Sequence, residues 1–209
     1  MGFIRETLCK GNIAMVKKVF EADLFPLICK FSTATKYKDL MLEITWILTN
    51  ITSSEDKEVI NYILQEKFGV MAYLSEMIQH EDEKLKEHAI WCFANLMEGN
   101  TERIKQILET SLFETLSSIC LTDKVKLGIV RTAAWALSNL MRYTEKTKEF
   151  ISDSIEMLST MLFIADKEVA ADTTHGFKYL LEIEEKTDEL QRFKLDTIAE
   201  VSVISKLLE

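Results

Sequence analysis

Each of the three tryptophans in this chain is followed, four residues later, by an asparagine. The windows are Ile44-Thr45-Trp46-Ile47-Leu48-Thr49-Asn50, Ala89-Ile90-Trp91-Cys92-Phe93-Ala94-Asn95 and Ala133-Ala134-Trp135-Ala136-Leu137-Ser138-Asn139. The tryptophans stand 45 and 44 residues apart. A fourth window, Thr173-Thr174-His175-Gly176-Phe177-Lys178-Tyr179, follows 40 residues on, with His175 in place of Trp and Tyr179 in place of Asn. The chain holds six asparagines in 209 residues, so chance produces three such pairs about once in tens of thousands of sequences. A motif recurring at a fixed period marks a chain built of stacked units, each burying an apolar face that it cannot bury alone.

Helical periodicity fills the space between the motifs. The runs Leu40–Ile51, Leu85–Met97 and Ile129–Met141 carry apolar residues at helix spacing, and polar breaks separate them: Ser53-Ser54-Glu55-Asp56, Glu98-Gly99-Asn100-Thr101 and Tyr143-Thr144-Glu145-Lys146. One proline and six glycines are too few for a turn-dense β architecture. The fold class expected is therefore all-α, with helices of roughly 8–16 residues. Each period divides into three helices. In the second unit these are Lys57–Gln65, Val70–Gln79 after a turn at Gly69, and Glu83–Met97 carrying Trp91 and Asn95. Pro26 in Phe25-Pro26-Leu27 fits the first turn of a helix. A helical period of this length is the signature of armadillo or HEAT arrays. One domain over 1–209 is expected, with units at about 11–54, 55–99, 100–143 and 144–186 and partial units at 1–10 and 187–209. Phe3–Cys9 reads as a lone third helix, and Thr187–Lys194 and Thr197–Leu208 as the first two helices of a further unit.

Acidic residues outnumber basic ones 34 to 25, for a net charge of −9. That argues against a nucleic-acid partner, which needs a basic surface. It favours cationic ones, including Lys/Arg-rich peptides. No apolar run reaches membrane-spanning length, and no signal-peptide pattern opens the sequence, so no membrane partner and an intracellular setting are expected. Cys9, Cys29, Cys92 and Cys120 lack CxxC spacing and read as buried free thiols of a reducing compartment.

Residues four apart share a helix face, so each Trp and its Asn lie side by side. Stacked units then set the pairs in a row along one groove, about 10 Å per unit. An extended peptide advancing ~3.3 Å per residue meets a rung every third residue or so. An Asn amide both donates and accepts, and can hold the backbone of a strand lacking a sheet partner. Indole faces accept the stems and cationic heads of Lys and Arg, for roughly 0.5–2 kcal/mol each. A lone helical Trp is ordinarily core, but a core has no use for a row of amides.

The motif Trp135-Ala136-Leu137-Ser138-Asn139-Leu140 closely resembles the third-helix motif of importin-α (karyopherin-α), the armadillo adaptor for nuclear localisation signals, as does Trp46-Ile47-Leu48-Thr49-Asn50-Ile51. Ala22-Asp23-Leu24-Phe25-Pro26 resembles that family's helix-two entry, and Asp172-Thr173-Thr174-His175, ending at Tyr179, its fifth repeat. The similarity runs from the last helix of repeat one into repeat six. It implies an armadillo-repeat right-handed superhelix (α-solenoid) whose inner groove binds basic peptides antiparallel, in the cytoplasm and nucleus. The groove residues implied are Trp46, Asn50, Ser53, Trp91, Asn95, Glu98, Trp135, Asn139, Arg142, Asp172, His175 and Tyr179. The chain departs from the family at Gly99, where the family closes a lysine pocket with Asp and this sequence has Glu98 one position early. It departs also at Val59 for the pocket's Thr, at Ser54 for its Gly, and at His175 for the fourth Trp. The family's basic amino-terminal segment is missing from this sequence, so importin-β is not an expected partner. The alternative reading is an armadillo scaffold that has lost signal specificity and binds another protein.

Catalytic and cofactor motifs are missing from the sequence. His80-Glu81 starts a zinc-protease motif that Lys84 breaks, and His80, His88 and His175 are too far apart for a local metal cluster. Six scattered glycines form no P-loop or dinucleotide fingerprint. Glu81-Asp82-Glu83 reads as a helix N-terminal cap, and Glu182-Ile183-Glu184-Glu185 as a solvated helix end. No enzyme, metal or cofactor is expected.

Overall fold

The computed structural model describes residues 13–54, 56–98, 101–122, 124–143, 148–181, 192–193 and 195–197, and these fall into two compact units, 1–96 and 97–209. The readings at Phe3–Cys9, Gly99 and Glu182–Glu185 lie outside the described residues, and so does most of Thr187–Leu208. Every described element is helical, and no strand occurs among the described residues.

The N-terminal unit holds two three-helix repeats. The first is α1 (Ile13–Glu21), α2 (Leu24–Thr35) and α3 (Lys38–Thr52). The second is α4 (Lys57–Ile63), a 3-10 turn at Glu66–Phe68, α5 (Val70–Ile78) and α6 (Glu83–Met97). The corners are sharp. Asp23, Lys36 and Gly69 adopt left-handed backbone with φ of 53°, 53° and 64°, a conformation that stops a helix within one residue. Phe20 stacks on Phe25 at 4.5 Å and meets Phe68 edge-on at 5.0 Å, so one aromatic cluster joins both repeats. The Tyr73 hydroxyl donates to the Met41 carbonyl at 3.1 Å and fastens α5 to α3.

The C-terminal unit holds α7 (Thr101–Leu108), α8 (Leu112–Leu121) and α9 (Leu127–Tyr143), then α10 (Lys148–Met161) and α11 (Lys167–Leu181). The three-helix subdivision holds for its first repeat and fails for its second, where the single helix α10 stands in place of two. The cause is local. Ile151, Ile155, Leu158 and Met161 are buried at unbroken helix spacing, and no glycine or proline interrupts residues 148–161.

Two of the third helices, α6 and α11, are anchored at their starts by an aspartate cap. Asp82 accepts from the backbone N–H groups of Lys84 and Leu85 at 3.1 and 3.2 Å, which bears out the cap read at Glu81-Asp82-Glu83. Asp166 accepts likewise from Glu168 and Val169, both at 3.1 Å. A cation on the preceding third helix grips each cap. Lys38 Nζ lies 2.5 Å from Asp82, and Arg131 donates twice to Asp166, at 3.1 and 2.6 Å. The Arg131 bonds hold the Asp166 carboxyl at about 2, below the usual carboxylate range, and Lys38 pulls Asp82 down in the same direction.

A depressed folded-state pKa contributes stability above the unfolded value and loses it as pH falls through the folded one. Asp166→Asn keeps a capping oxygen but loses the charge. It is expected to lower the melting midpoint by roughly 2–4 °C at pH 7, and the gap to the parent protein should close between pH 4 and pH 2. Thermal melts across that range check it; a gap independent of pH would mean that the Arg131 pair contributes nothing.

Candidate functional site

The C-terminal halves of the third helices α3, α6 and α9 are covered on nearly every side, and what remains uncovered is narrow. Between Ala89 and Glu98 only Trp91, Asn95 and Glu98 escape burial. Between Ala133 and Arg142 only Trp135, Asn139 and Arg142 do so. Between Ile44 and Ser53 the uncovered residues are Trp46, Thr49, Asn50 and Ser53. The spacing is i, i+4, i+7 each time, which traces one stripe along a helix. The residues midway between each Trp and its Asn are sealed: Leu48, Phe93 and Leu137 are each 0% exposed. The indoles are thus not core, with Trp46 38% and Trp91 45% exposed.

In the N-terminal unit a polar seam aligns the two stripes. Asn95 Nδ2 on α6 donates to Thr52 Oγ1 at 3.2 Å and to the Thr49 carbonyl at 3.5 Å on α3. The buried Cys92 thiol lies 3.3 Å from Thr49 Oγ1, and burial pushes its pKa up to about 12, so it is inert as a nucleophile. Cys29 and Cys120 are likewise buried free thiols, while Cys9 lies outside the described residues. Asn50 Nδ2 donates to the Trp46 carbonyl of its own helix at 2.8 Å, and Ser53 Oγ to the Asn50 carbonyl at 3.0 Å. The amides therefore differ. Asn50 keeps a second N–H and its carbonyl oxygen for a ligand, whereas Asn95 spends its donors on α3 and presents mainly its oxygen. Thr49 is a wall residue that sequence reading missed; its position three after Trp46 was the available signal.

In the C-terminal unit Trp135 and Asn139 are half-buried on α9 and Arg142 is exposed. The Arg142 guanidinium lies 5.3 Å from the centre of the half-buried Tyr179 ring on α11. Exposed His175 sits one turn before Tyr179, its ring 6.3 Å away. Asp172 is half-buried, and desolvation raises its pKa against the opposing pull of His175.

The positions matched to the lysine pocket fare less well. Val59 is buried at 1% exposure in α4 and lines no surface, because an apolar side chain there packs inward. Ser54 Oγ accepts from the Asp56 N–H at 3.1 Å, closing the turn before α4. His80 Nδ1 accepts from the Asp82 N–H at 2.9 Å, and burial lowers the pKa of half-buried His88. Among the described residues, no group of three His, Cys, Asp or Glu is placed to hold a metal, and no helix is long and apolar enough to cross a membrane.

No family model matches the chain. It is similar to importin subunit alpha-2 of Arabidopsis thaliana, 26% identical over 200 residues that cover 93% of this chain and 34% of that protein. It is similar also to importin subunit alpha-1b of Oryza sativa subsp. japonica, 24% identical over 93% of this chain and 34% of the relative. The chain thus spans about a third of the length of these curated relatives. Among solved structures, a designed armadillo repeat protein in complex with the peptide (KR)4 matches with a TM-score of 0.73 and 20% identity, over 98% of this chain and 82% of that one. The fold is that of the armadillo-repeat proteins, and the sequence is importin-α-like and divergent.

The two amides should separate in stability measurements. Asn95→Ala removes the donor to Thr52 Oγ1 across the seam and is expected to cost about 1 kcal/mol. Asn50→Ala loses one bond at an exposed site and gains helix propensity, so it should stay within about 0.5 kcal/mol of the parent. Denaturant melts of both variants decide; equal losses would mean the Asn95 seam carries no weight.

Proposed function

We propose that this chain binds Lys/Arg-rich linear peptides, as an importin-α-like adaptor for nuclear localisation signals working in the cytoplasm and nucleus. The observation that carries the reading is the uncovered stripe of the third helices α3, α6 and α9. A large aromatic and an amide four residues on stay accessible while their neighbours are sealed.

The chemistry follows from those groups. An exposed indole face attracts a cation through its quadrupole, and its apolar surface takes the aliphatic stem. The Asn carbonyl oxygens accept from peptide N–H groups at either kind of rung, and Asn50 can also donate to a peptide carbonyl. Such contacts hold the peptide backbone without reading its sequence, so preference for Lys and Arg comes from the indoles and from charge. A net charge of −9 raises the encounter rate of a basic peptide within a Debye length of ~8–10 Å. Exposed Glu98, at i+7 from Trp91, supplies a carboxylate beside that rung. With Val59 buried, Glu98 rather than a hydroxyl from α4 is the group offered to a lysine head. The importin-α names of the curated relatives and the (KR)4 peptide of the designed neighbour support the same class of ligand.

Fluorescence anisotropy with a labelled octapeptide of alternating Lys and Arg tests the reading. Saturable binding that weakens with added salt is expected. Trp91→Ala should reduce affinity about ten-fold or more, in line with the loss of one cation–π contact and its stem packing, while moving the melting midpoint by less than about 3 °C. A large fall in melting temperature with unchanged affinity would place that indole in a structural role. No saturable binding at low salt would favour a scaffold for a different partner.

A further inference from the structure

One imidazole of the N-terminal unit stands beside the open stripe. His88 lies on α6 three residues before Trp91 and seven before Asn95, the i, i+3, i+7 spacing that keeps all three on one side of a helix. It is half-buried, whereas Ala89 and Ile90 next to it are sealed. The seam fixes which edge of the stripe it occupies. Cys92 and Asn95, four and seven residues later, both meet α3, the thiol at the Thr49 hydroxyl and the amide at Thr52 Oγ1. His88 shares their edge of α6, so its ring flanks Trp91 on the side facing α3.

The surroundings keep this ring neutral. Its Nδ1 is buried and meets no hydrogen-bond partner among the described residues, so a proton there would be a donor sealed away from any acceptor. Burial is the main effect that holds the His88 pKa below the usual histidine value. The titratable groups on the helices around it are Lys84 and Glu87 of α6, Asp39 and Glu43 of α3, and Tyr73 and Glu76 of α5. Glu87 favours the charged ring, Lys84 opposes it, and burial outweighs both. At neutral pH a cation arriving at Trp91 therefore meets an indole face flanked by an uncharged imidazole.

We propose that His88 is a proton-controlled gate on the Trp91 rung: neutral, it leaves the indole to a lysine or arginine of the ligand, and charged, it turns that cation away. The proposal rests on the peptide-binding reading above and adds a control to it. Two effects act together. An imidazolium one turn from the indole is itself a cation beside the ring, and it competes for the attraction that a peptide ammonium or guanidinium would use. It also repels that group directly. The coupling is reciprocal, so acid weakens the peptide and the bound peptide pushes the imidazole pKa lower still. The ring charges only as pH falls through its own pKa, so full affinity is present at neutral pH and lost on acidification.

The test uses the full chain and the Lys/Arg octapeptide, whose side-chain charges do not change between pH 7.5 and pH 5. At constant ionic strength its affinity is expected to fall about three-fold or more over that range. His88→Gln, neutral throughout, should bind comparably at pH 7.5 and lose most of the fall. Carboxylates titrate in both proteins, so the difference between them isolates the imidazole. Histidine NMR of the parent protein is a second readout: the His88 ring should titrate at lower pH with the octapeptide bound than without it. An equal fall in parent and variant, or a His88 titration that the bound peptide leaves unmoved, overturns the gate alone when the octapeptide binds at pH 7.5. Absence of saturable binding at pH 7.5 removes the peptide-binding reading and the gate together.

Discussion

The burial of the C-terminal halves of α3, α6 and α9 on nearly all sides is the constraint from which the rest follows. A helix segment in that position has no broad solvent face to fill with charges, so its uncovered positions shrink to a narrow line. Alanines and short aliphatics satisfy the sealed sides, as at Ala133, Ala134, Ala136 and Leu137, each at most 1% exposed. Whatever stands on the open line is then held by a rigid support. Trp46 and Trp91 are presented from such lines and not from loops, which gives a ligand fixed partners with little ordering entropy left to lose.

A rigid line serves recognition only if adjacent lines keep register, and two different devices hold it. At the helix starts, a cation on one third helix grips the aspartate that caps the next, Lys38 to Asp82 and Arg131 to Asp166. Midway along, in the N-terminal unit, the Thr49–Thr52 edge of α3 meets Cys92 and Asn95 of α6. The seam explains why Asn95 is less available than Asn50. Its amide donors bridge α6 to α3, whereas Asn50 bonds only within its own helix. A single residue type at equivalent positions thus differs in what it holds according to its neighbour across the seam.

Much of the architecture was legible because its signal is periodic. The Trp-x-x-x-Asn recurrence located the third helices, and Glu83–Met97 was placed with both ends as observed. The open face was legible too, since indoles paired with amides make little sense in a core. What escaped reading depends on contacts between segments distant in sequence. Nothing local marks Asn95 as bonded to residues more than forty positions earlier, or Arg131 as the grip on Asp166. Val59 takes the place of the pocket's Thr by resemblance, yet its apolar side chain is buried, so correspondence of position did not carry over to correspondence of surface. The merging of two expected helices into α10 escaped because a three-helix template was imposed where Ile151, Ile155, Leu158 and Met161 already spelled out one continuous face.

The number and kind of rungs bear on how a peptide of this sort can be held at all. A cation over an indole contributes roughly 0.5–2 kcal/mol, while association costs an estimated 4–15 kcal/mol in lost freedom. One rung cannot retain a ligand, and several identical rungs would retain any sufficiently basic chain in any register. Trp46 with Asn50 and Trp91 with Asn95, exposed or half-buried on neighbouring third helices of the N-terminal unit, would share that cost, because most of the freedom lost at the first contact is not lost again at the second.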